Sequence, residues 1–172
     1  MKTQPGEICF PGGKMEACET AMESAIRETS EELSIDPDKI KVIGQGDTLY
    51  TYGNLALYTF IGSIEYETYK NIEPEPEEVD EVFLVPVKKL LESQPKCFQG
   101  QVSLKMDEGF PYNEIGVDKN YPWKKGIWHV PYYDIDGRAI WGMTAKITEN
   151  VISRVWKREK IKKALNIFHN GL

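Results

Sequence analysis

Residues that build nitrogen- or sulfur-ligated metal centres are scarce: the 172-residue chain has two histidines and three cysteines. Cys9, Cys18 and Cys97 are odd in number and lack metal-ligand spacing. They fit thiols in a reducing cytoplasm better than a disulfide framework. His129 lies in an apolar stretch and reads as a structural histidine, while His169 is near the chain end. No window reaches the ~18 uninterrupted apolar residues of a membrane span, so no membrane role is expected. The opening Met1-Lys2-Thr3-Gln4-Pro5-Gly6 carries no apolar targeting segment. Positive charge is also in deficit, and a net charge of −6 argues against nucleic-acid binding as the main role. No repeat appears and nothing marks a second domain, so one domain over 1–172 is expected, with a hydrophobic content of 41% to build its core.

Acid is what the chain has in excess, and its arrangement between residues 13 and 35 is informative. Gly13 is followed by Glu19, then Arg27-Glu28, Glu31-Glu32 and Ile35. If Thr20 to Leu33 is helical, Glu28 and Glu32 lie one turn apart on one face, with Glu31 beside them. Such a group repels itself unless a cation intervenes, and an oxygen-only donor set suits Mg²⁺ or Mn²⁺. Arg27 and Glu31 are also one turn apart, so Arg27 can orient the cluster, and Glu19 can pair with Arg27 or cap the helix. Pro11-Gly12-Gly13 forms a tight loop ahead of the helix, where glycines let the backbone approach metal and phosphate. A solvated acidic helix face is the ordinary meaning of a charge run. The glycine loop and the fixed Glu19–Arg27 spacing favour a metal site.

Elsewhere the pattern predicts a strand over Glu7–Phe10 and a hairpin made of Ile40–Thr48 and Leu55–Ile64 around Tyr52-Gly53-Asn54. A proline-acid loop at 73–78 leads to an expected strand over Glu81–Val85 and a short helix over Val87–Leu91. The polar segment 94–125 reads as one long loop, functional or mobile. A strand over Gly126–Tyr133 and a turn at Asp134–Gly137 precede an expected helix from about Ala139 to Asn166. That helix would bury Ile140, Thr144, Ile147, Val151 and Val155.

The spacing from Gly13 to Ile35 resembles the Nudix box: glycine, five residues, Glu, seven residues, Arg-Glu-(apolar)-x-Glu-Glu-x-Gly-(apolar). Thr29 stands where an apolar residue is usual, and Ser34 where the glycine is usual. Three further segments resemble the coenzyme A diphosphatase branch of that superfamily. They are Gly6-Glu7-Ile8-Cys9-Phe10-Pro11-Gly12-Gly13, Glu77 to Val87, and Ile140-Trp141-Gly142-Met143-Thr144-Ala145. The resemblance implies an α/β fold, a Nudix-type α/β/α sandwich with a mixed central sheet. It also implies a Mg²⁺- or Mn²⁺-dependent hydrolase that cleaves coenzyme A to 3′,5′-ADP and 4′-phosphopantetheine.

Carried onto this chain, the resemblance makes Glu28, Glu31 and Glu32 the metal ligands, assisted by the Gly13 carbonyl, with Arg27 and Glu19 as a supporting pair. Glu78 is the expected later-loop base, with Glu77 and Glu81 as alternatives. Gly12 and Trp141 are assigned to substrate binding, core packing being the blander role for Trp141. Tyr121, Trp123 and Trp128 are candidates to stack an adenine. The substrate alternatives are a nucleoside triphosphate, ADP-ribose or a dinucleotide, and the alternative class is a catalytically weak Nudix-like nucleotide-binding module. Only twelve residues precede Gly13, fewer than the family's N-terminal strands need. A start further upstream, repacking of later segments, or a homodimer, domain-swapped in one version, would each answer that shortfall.

Overall fold

The computed structural model describes residues 6–156. Helix α1 (Ala21–Leu33) starts where the sequence places it. Thr20 accepts from the Glu23 N–H at 3.2 Å, and Glu23 accepts from the Thr20 N–H at 2.7 Å, a reciprocal capping box. Its C-terminus closes as a Schellman motif, with the Ser34 N–H on the Glu31 carbonyl at 3.3 Å and the Ile35 N–H on the Ser30 carbonyl at 3.1 Å. That closure puts Ser34 in the left-handed region at φ +50°, which is the physical reason a glycine is usual there. Thr29 satisfies its hydroxyl by donating to the Ala25 carbonyl at 2.6 Å, so a polar residue at this half-buried position leaves no orphan group.

A 3₁₀ turn at Pro37–Lys39 leads into β1 (Lys41–Gln45), which pairs antiparallel with β4 (Phe60–Ser63). The small ladder of β2 (Leu49–Tyr50) and β3 (Ala56–Leu57) sits between them, so the expected hairpin forms with a second one nested at its tip. Two short helices follow, α2 (Tyr66–Lys70) and α3 (Val87–Glu92). The largest sheet joins β5 (Lys96–Val102), β6 (Gly126–Ile135) and β7 (Arg138–Trp141) in that order. Asp136 and Gly137 link β6 to β7 with φ of +56° and +78°, as a two-residue hairpin requires. The chain then enters α4 (Gly142–Val151) through Gly142 at φ +62° and continues as a π-turn over Ile152–Trp156.

The α/β class expected from the sequence holds. Every ladder among the described residues is antiparallel, and the strands form three separate sheets. Four expectations need correction. Glu7–Phe10 and Glu81–Val85 are not strands, because neither finds a ladder partner. The segment 94–125 is not loop throughout, since Lys96–Val102 is β5, held by seven residue pairs with β6. The last helix does not start at Ala139: Ala139–Trp141 belongs to β7, which places Ile140 on the sheet. Within α4 the buried positions are Ala145 and Thr148, with Thr144, Ile147 and Val151 half-buried. The remainder of the expected helix, and His169, lie outside the described residues.

The core is small. Tyr133, Ile135, Ile140 and Ala145 are buried together, and Ile8, Val85 and Leu90 pack against them. Full burial of an aliphatic side chain is worth about 1.5–3 kcal/mol, so these few residues carry much of the apolar stabilisation of this region. Trp141 is not one of them, at 44% exposed, which removes the core-packing role for it. Arg138 ties β7 to the 81–86 segment through a two-pronged pair with Glu81 at 2.6 and 2.7 Å, and stacks its guanidinium over Phe83.

The strained cap gives a direct test. Ser34→Gly is expected to raise stability by about 0.5–1 kcal/mol by relieving the left-handed conformation. Denaturant melts should show the midpoint moving up, and an unchanged or lower midpoint would mean that the Ser34 conformation carries no strain.

Candidate active site

The site is built on the C-terminal half of α1, from Arg27 to Glu32, and the loop before the helix. Arg27 is its hub. Its Nε and Nη2 donate to the two Glu19 oxygens at 3.1 and 2.9 Å, and Nη2 also reaches the Lys14 carbonyl at 3.4 Å. The same guanidinium lies 3.0 Å from Glu28 Oε1 and 3.0 Å from Glu31 Oε2. Glu19, which also accepts from the Glu16 N–H at 2.6 Å, is lowered to about 2, chiefly by the hydrogen bonds from Arg27. The supporting pair expected from the sequence is therefore present, and it fixes loop to helix.

Glu32 is the unusual member. It is 7% exposed, and burial raises its carboxyl above the ordinary range, with the charges of Glu28 and Glu78 adding to the rise. A hydrogen bond from the Gly12 backbone works the other way and holds the carboxylate in place. Its own carbonyl accepts from the Glu75 N–H at 3.1 Å, which brings the acidic loop carrying Glu78 beside α1. Glu28 is drawn close to the glycine loop: its carboxyl group occupies the space that a β-carbon on residue 13 would need. A side chain at residue 13 would push the flexible end of Glu28 off the loop.

The structure thus gathers Gly12, Gly13, Glu28, Glu32 and Glu78. It does not bring Glu31 fully into that group, because Glu31 pairs with Arg27 and its side chain is 60% exposed. Arg27 and Glu31 border a shallow depression with Glu23, Ile26, Ser30 and Pro37. Among the described residues no three acidic, histidine or cysteine side chains converge tightly enough to cage an ion. Of the alternatives to Glu78, Glu81 is committed to Arg138, and Glu77, as exposed as Glu78, is not among the charges that raise Glu32. Cys9 borders the site, its thiol raised by partial desolvation and by the charges of Glu32 and Glu7.

Sequence reasoning missed the roles of the Gly12, Glu75 and Lys14 backbone groups, which leave no side-chain signal. It also missed a cavity of about 270 Å³ between the β1–β4 hairpin and α4, away from these carboxylates. Leu49, Ile61, Ile147 and Val151 line it, and the Arg154–Asp47 pair, at 2.8 Å, lies at its edge.

The two shifted carboxylates act on stability with opposite sign. Glu19, lowered from 4.5 to about 2, favours the fold above its ordinary value, and that contribution is lost as pH falls toward 2. Glu32, raised from 4.5, favours the fold in its protonated form, so its contribution is present at low pH and is lost as pH rises through the raised value. An NMR titration of the side-chain carboxyls in metal-free buffer should therefore place Glu32 above Glu19. Glu28→Gln should draw Glu32 back down, and a Glu32 midpoint that ignores Glu28 would remove the electrostatic coupling between them.

The NUDIX domain model matches residues 1–103 of this chain. A peroxisomal coenzyme A diphosphatase of Mus musculus is 35% identical over 96 residues, covering 55% of this chain and 39% of that protein. Nudix hydrolase 3 of Caenorhabditis elegans is 30% identical over 125 residues, covering 71% and 52% respectively. A mitochondrial coenzyme A diphosphatase of Mus musculus is 28% identical over 145 residues, covering 84% and 60%. The chain spans between 39% and 60% of the length of these relatives. The matched region takes in the glycine loop, Arg27 and the whole acidic face of α1, and the chain belongs to the Nudix domain family.

Proposed function

We propose that this chain is a divalent-metal-dependent hydrolase of a nucleoside diphosphate linkage, with coenzyme A as substrate and 3′,5′-ADP and 4′-phosphopantetheine as products. The observation that carries the reading is Glu32: a buried carboxylate, held by a backbone N–H, beside Glu28 and Glu78. Burying acid among acid is costly unless a cation compensates it. The donor set fits Mg²⁺ or Mn²⁺, being oxygen-only, mutually repelling and open to the backbone at Gly13. Glu28, Glu32 and the Gly13 carbonyl would hold the ion, with Glu31 joining if it leaves Arg27. The ion supplies neutralisation of phosphate charge and a lowered pKa for water.

The chain's own groups position the rest. Arg27 fixes Glu28 against the loop, and the Gly12 N–H orients Glu32. Glu78, exposed and close enough for its charge to act on Glu32, would accept the proton of the attacking water at its carboxylate. The water oxygen bonds to one phosphorus as the bridging P–O bond breaks, and the released phosphate keeps the electron pair. Gly12 and Trp141, which is exposed at the head of α4, would contact the substrate.

The names of the relatives support coenzyme A over a nucleoside triphosphate, ADP-ribose or a dinucleotide. A cytoplasmic place of action rests on the exposed, unpaired cysteines. Among the described residues, no helix is long and apolar enough to cross a membrane. The position of Glu31 favours one rival, a nucleotide-binding module with weak or no turnover, because its carboxylate is engaged by Arg27.

Coenzyme A incubated with the protein and Mn²⁺ or Mg²⁺ should yield 3′,5′-ADP and phosphopantetheine by mass spectrometry, and chelator should stop it. Glu32→Gln is expected to lower kcat by about 10²–10³-fold with a melt no lower than the parent's. Nucleotide binding without cleavage in the parent protein would favour the rival, and full activity in the variant would sink the assignment of Glu32.

We also propose a homodimer, formed by domain exchange in one version, acting as a single-domain unit with no nucleic-acid or membrane partner. Ile43, Phe98 and Ile127 leave 69%, 58% and 63% of their surface uncovered on β1, β5 and β6. Such large exposed apolar side chains on strands suit burial by a second copy. Sedimentation should give twice the 19.7 kDa chain mass at micromolar concentration, and a monomer there would overturn this.

A further inference from the structure

Of the candidate stacking rings, Tyr121 and Trp123 pack on each other at 4.8 Å, and Trp128, on one face of β6, meets the Tyr52 ring and the Lys146 ammonium. The other face of β6 carries a group with chemistry of its own. In the β5–β6 ladder Cys97 lies opposite Pro131, and Gln99 lies opposite His129. Opposed residues share a face, and so do residues two apart on a strand, which makes Cys97 and His129 diagonal neighbours on one face. Their side chains meet there: Cys97 Sγ is 3.7 Å from His129 Nδ1. Both residues are exposed, and β5 is an edge of its sheet among the described strands. A small molecule can therefore reach the sulfur without opening the fold.

The three cysteines differ in what surrounds them. The Cys9 thiol is raised by partial desolvation and by the charges of Glu32 and Glu7, which disfavours its thiolate. Cys18 is exposed, and among the described residues neither it nor Cys9 meets an imidazole. Cys97 has two acceptors in reach, His129 Nδ1 and the Phe98 carbonyl at 3.9 Å. A carbonyl can hold the thiol hydrogen but cannot remove it. A neutral imidazole with its hydrogen on Nε2 presents a lone pair at Nδ1, and it can. The neighbours on this face, Gln99, Ile127 and Pro131, are uncharged, so the proton transfer is left to the pair itself.

We infer that Cys97 and His129 form a reactive thiol–imidazole pair, a site of reversible mixed-disulfide formation with low-molecular-weight disulfides. This is independent of the diphosphate reading. The Cys97 proton passes to His129 Nδ1 as Sγ attacks one sulfur of the small disulfide. A new S–S bond forms while the old one breaks. The departing sulfur leaves with the electron pair and takes the proton back from the imidazolium. Cys97 is oxidised and the departing sulfur is reduced, so one thiol and one disulfide give one mixed disulfide and one thiol. Excess small thiol reverses the exchange by the same path.

The test treats the full chain with hydroxyethyl disulfide, an uncharged probe that the net charge of −6 does not steer. Ile127 shares this face, so the reaction is run at nanomolar chain, below the micromolar range of the proposed dimer. Peptide mass spectrometry should place the first adduct on Cys97, formed at least about tenfold faster than at Cys9 or Cys18. His129→Ala should slow Cys97 by about tenfold, and imidazole added to the buffer should restore much of that loss while leaving the parent rate unchanged. Free imidazole cannot replace a histidine whose role is structural. Modification of Cys9 or Cys18 ahead of Cys97, a parental rate in His129→Ala, or a loss that imidazole does not repair would each overturn the pair.

Thermal melts establish that the variants are folded. If His129→Ala is not, His129→Gln keeps a polar side chain at this exposed strand position and should slow Cys97 by the same factor. A parental rate in that variant would equally overturn the pair.

Discussion

Everything near the acidic face of α1 depends on one guanidinium. Arg27 holds Glu19, Glu28, Glu31 and the Lys14 carbonyl at once. Because its fork is rigid and permanently charged, it sets the loop's distance from the helix as well as its charge balance. A lysine would supply the charge without the fork, and the loop would lose its second anchor. The arrangement also explains an asymmetry. Glu28 and Glu31 share Arg27, whereas Glu32 is left to the Gly12 backbone and to burial. The carboxylate with the least cationic help is thus the one most enclosed.

How much was legible follows from how local each signal is. The helix Ala21–Leu33 was readable because its cap, its periodicity and its acidic spacing lie within a few residues of one another. The hairpin of β1 and β4 was readable for the same reason, through the turn between them. Lys96–Val102 was not, since its alternation is polar and interrupted by Gly100, and it is a strand only because β6 pairs with it from thirty residues away. Conversely, Glu7–Phe10 and Glu81–Val85 have strand-like composition with no partner, which shows propensity giving way to pairing. The junction of β7 and α4 misled because Ala139-Ile140-Trp141 continues the apolar pattern across it. Gly142, at φ +62°, was the punctuation that periodicity overlooked.

In the site, the one-turn spacing of Glu28 and Glu32 was visible in the sequence, but the turn of Glu31 toward Arg27 was not. Helical spacing offers Glu31 to Arg27, but the folded loop adds Glu19 and Glu28 to the same guanidinium. The burial of Glu32 was hidden for a similar reason, since it depends on where residues 9–13 and 75–78 settle. The small core around Tyr133 and Ala145 makes those loops matter more, because Ile8 and Val85 are themselves part of its packing.

The contact between residue 13 and Glu28 has an evolutionary consequence. A β-carbon at 13 and the Glu28 carboxyl group claim the same volume, so the two positions are coupled by exclusion, not by attraction. Their substitutions should be epistatic: a larger residue at 13 is tolerable only with a shorter or displaced side chain at 28. The loop and the helix must then change together, which ties the backbone of one to the chemistry of the other.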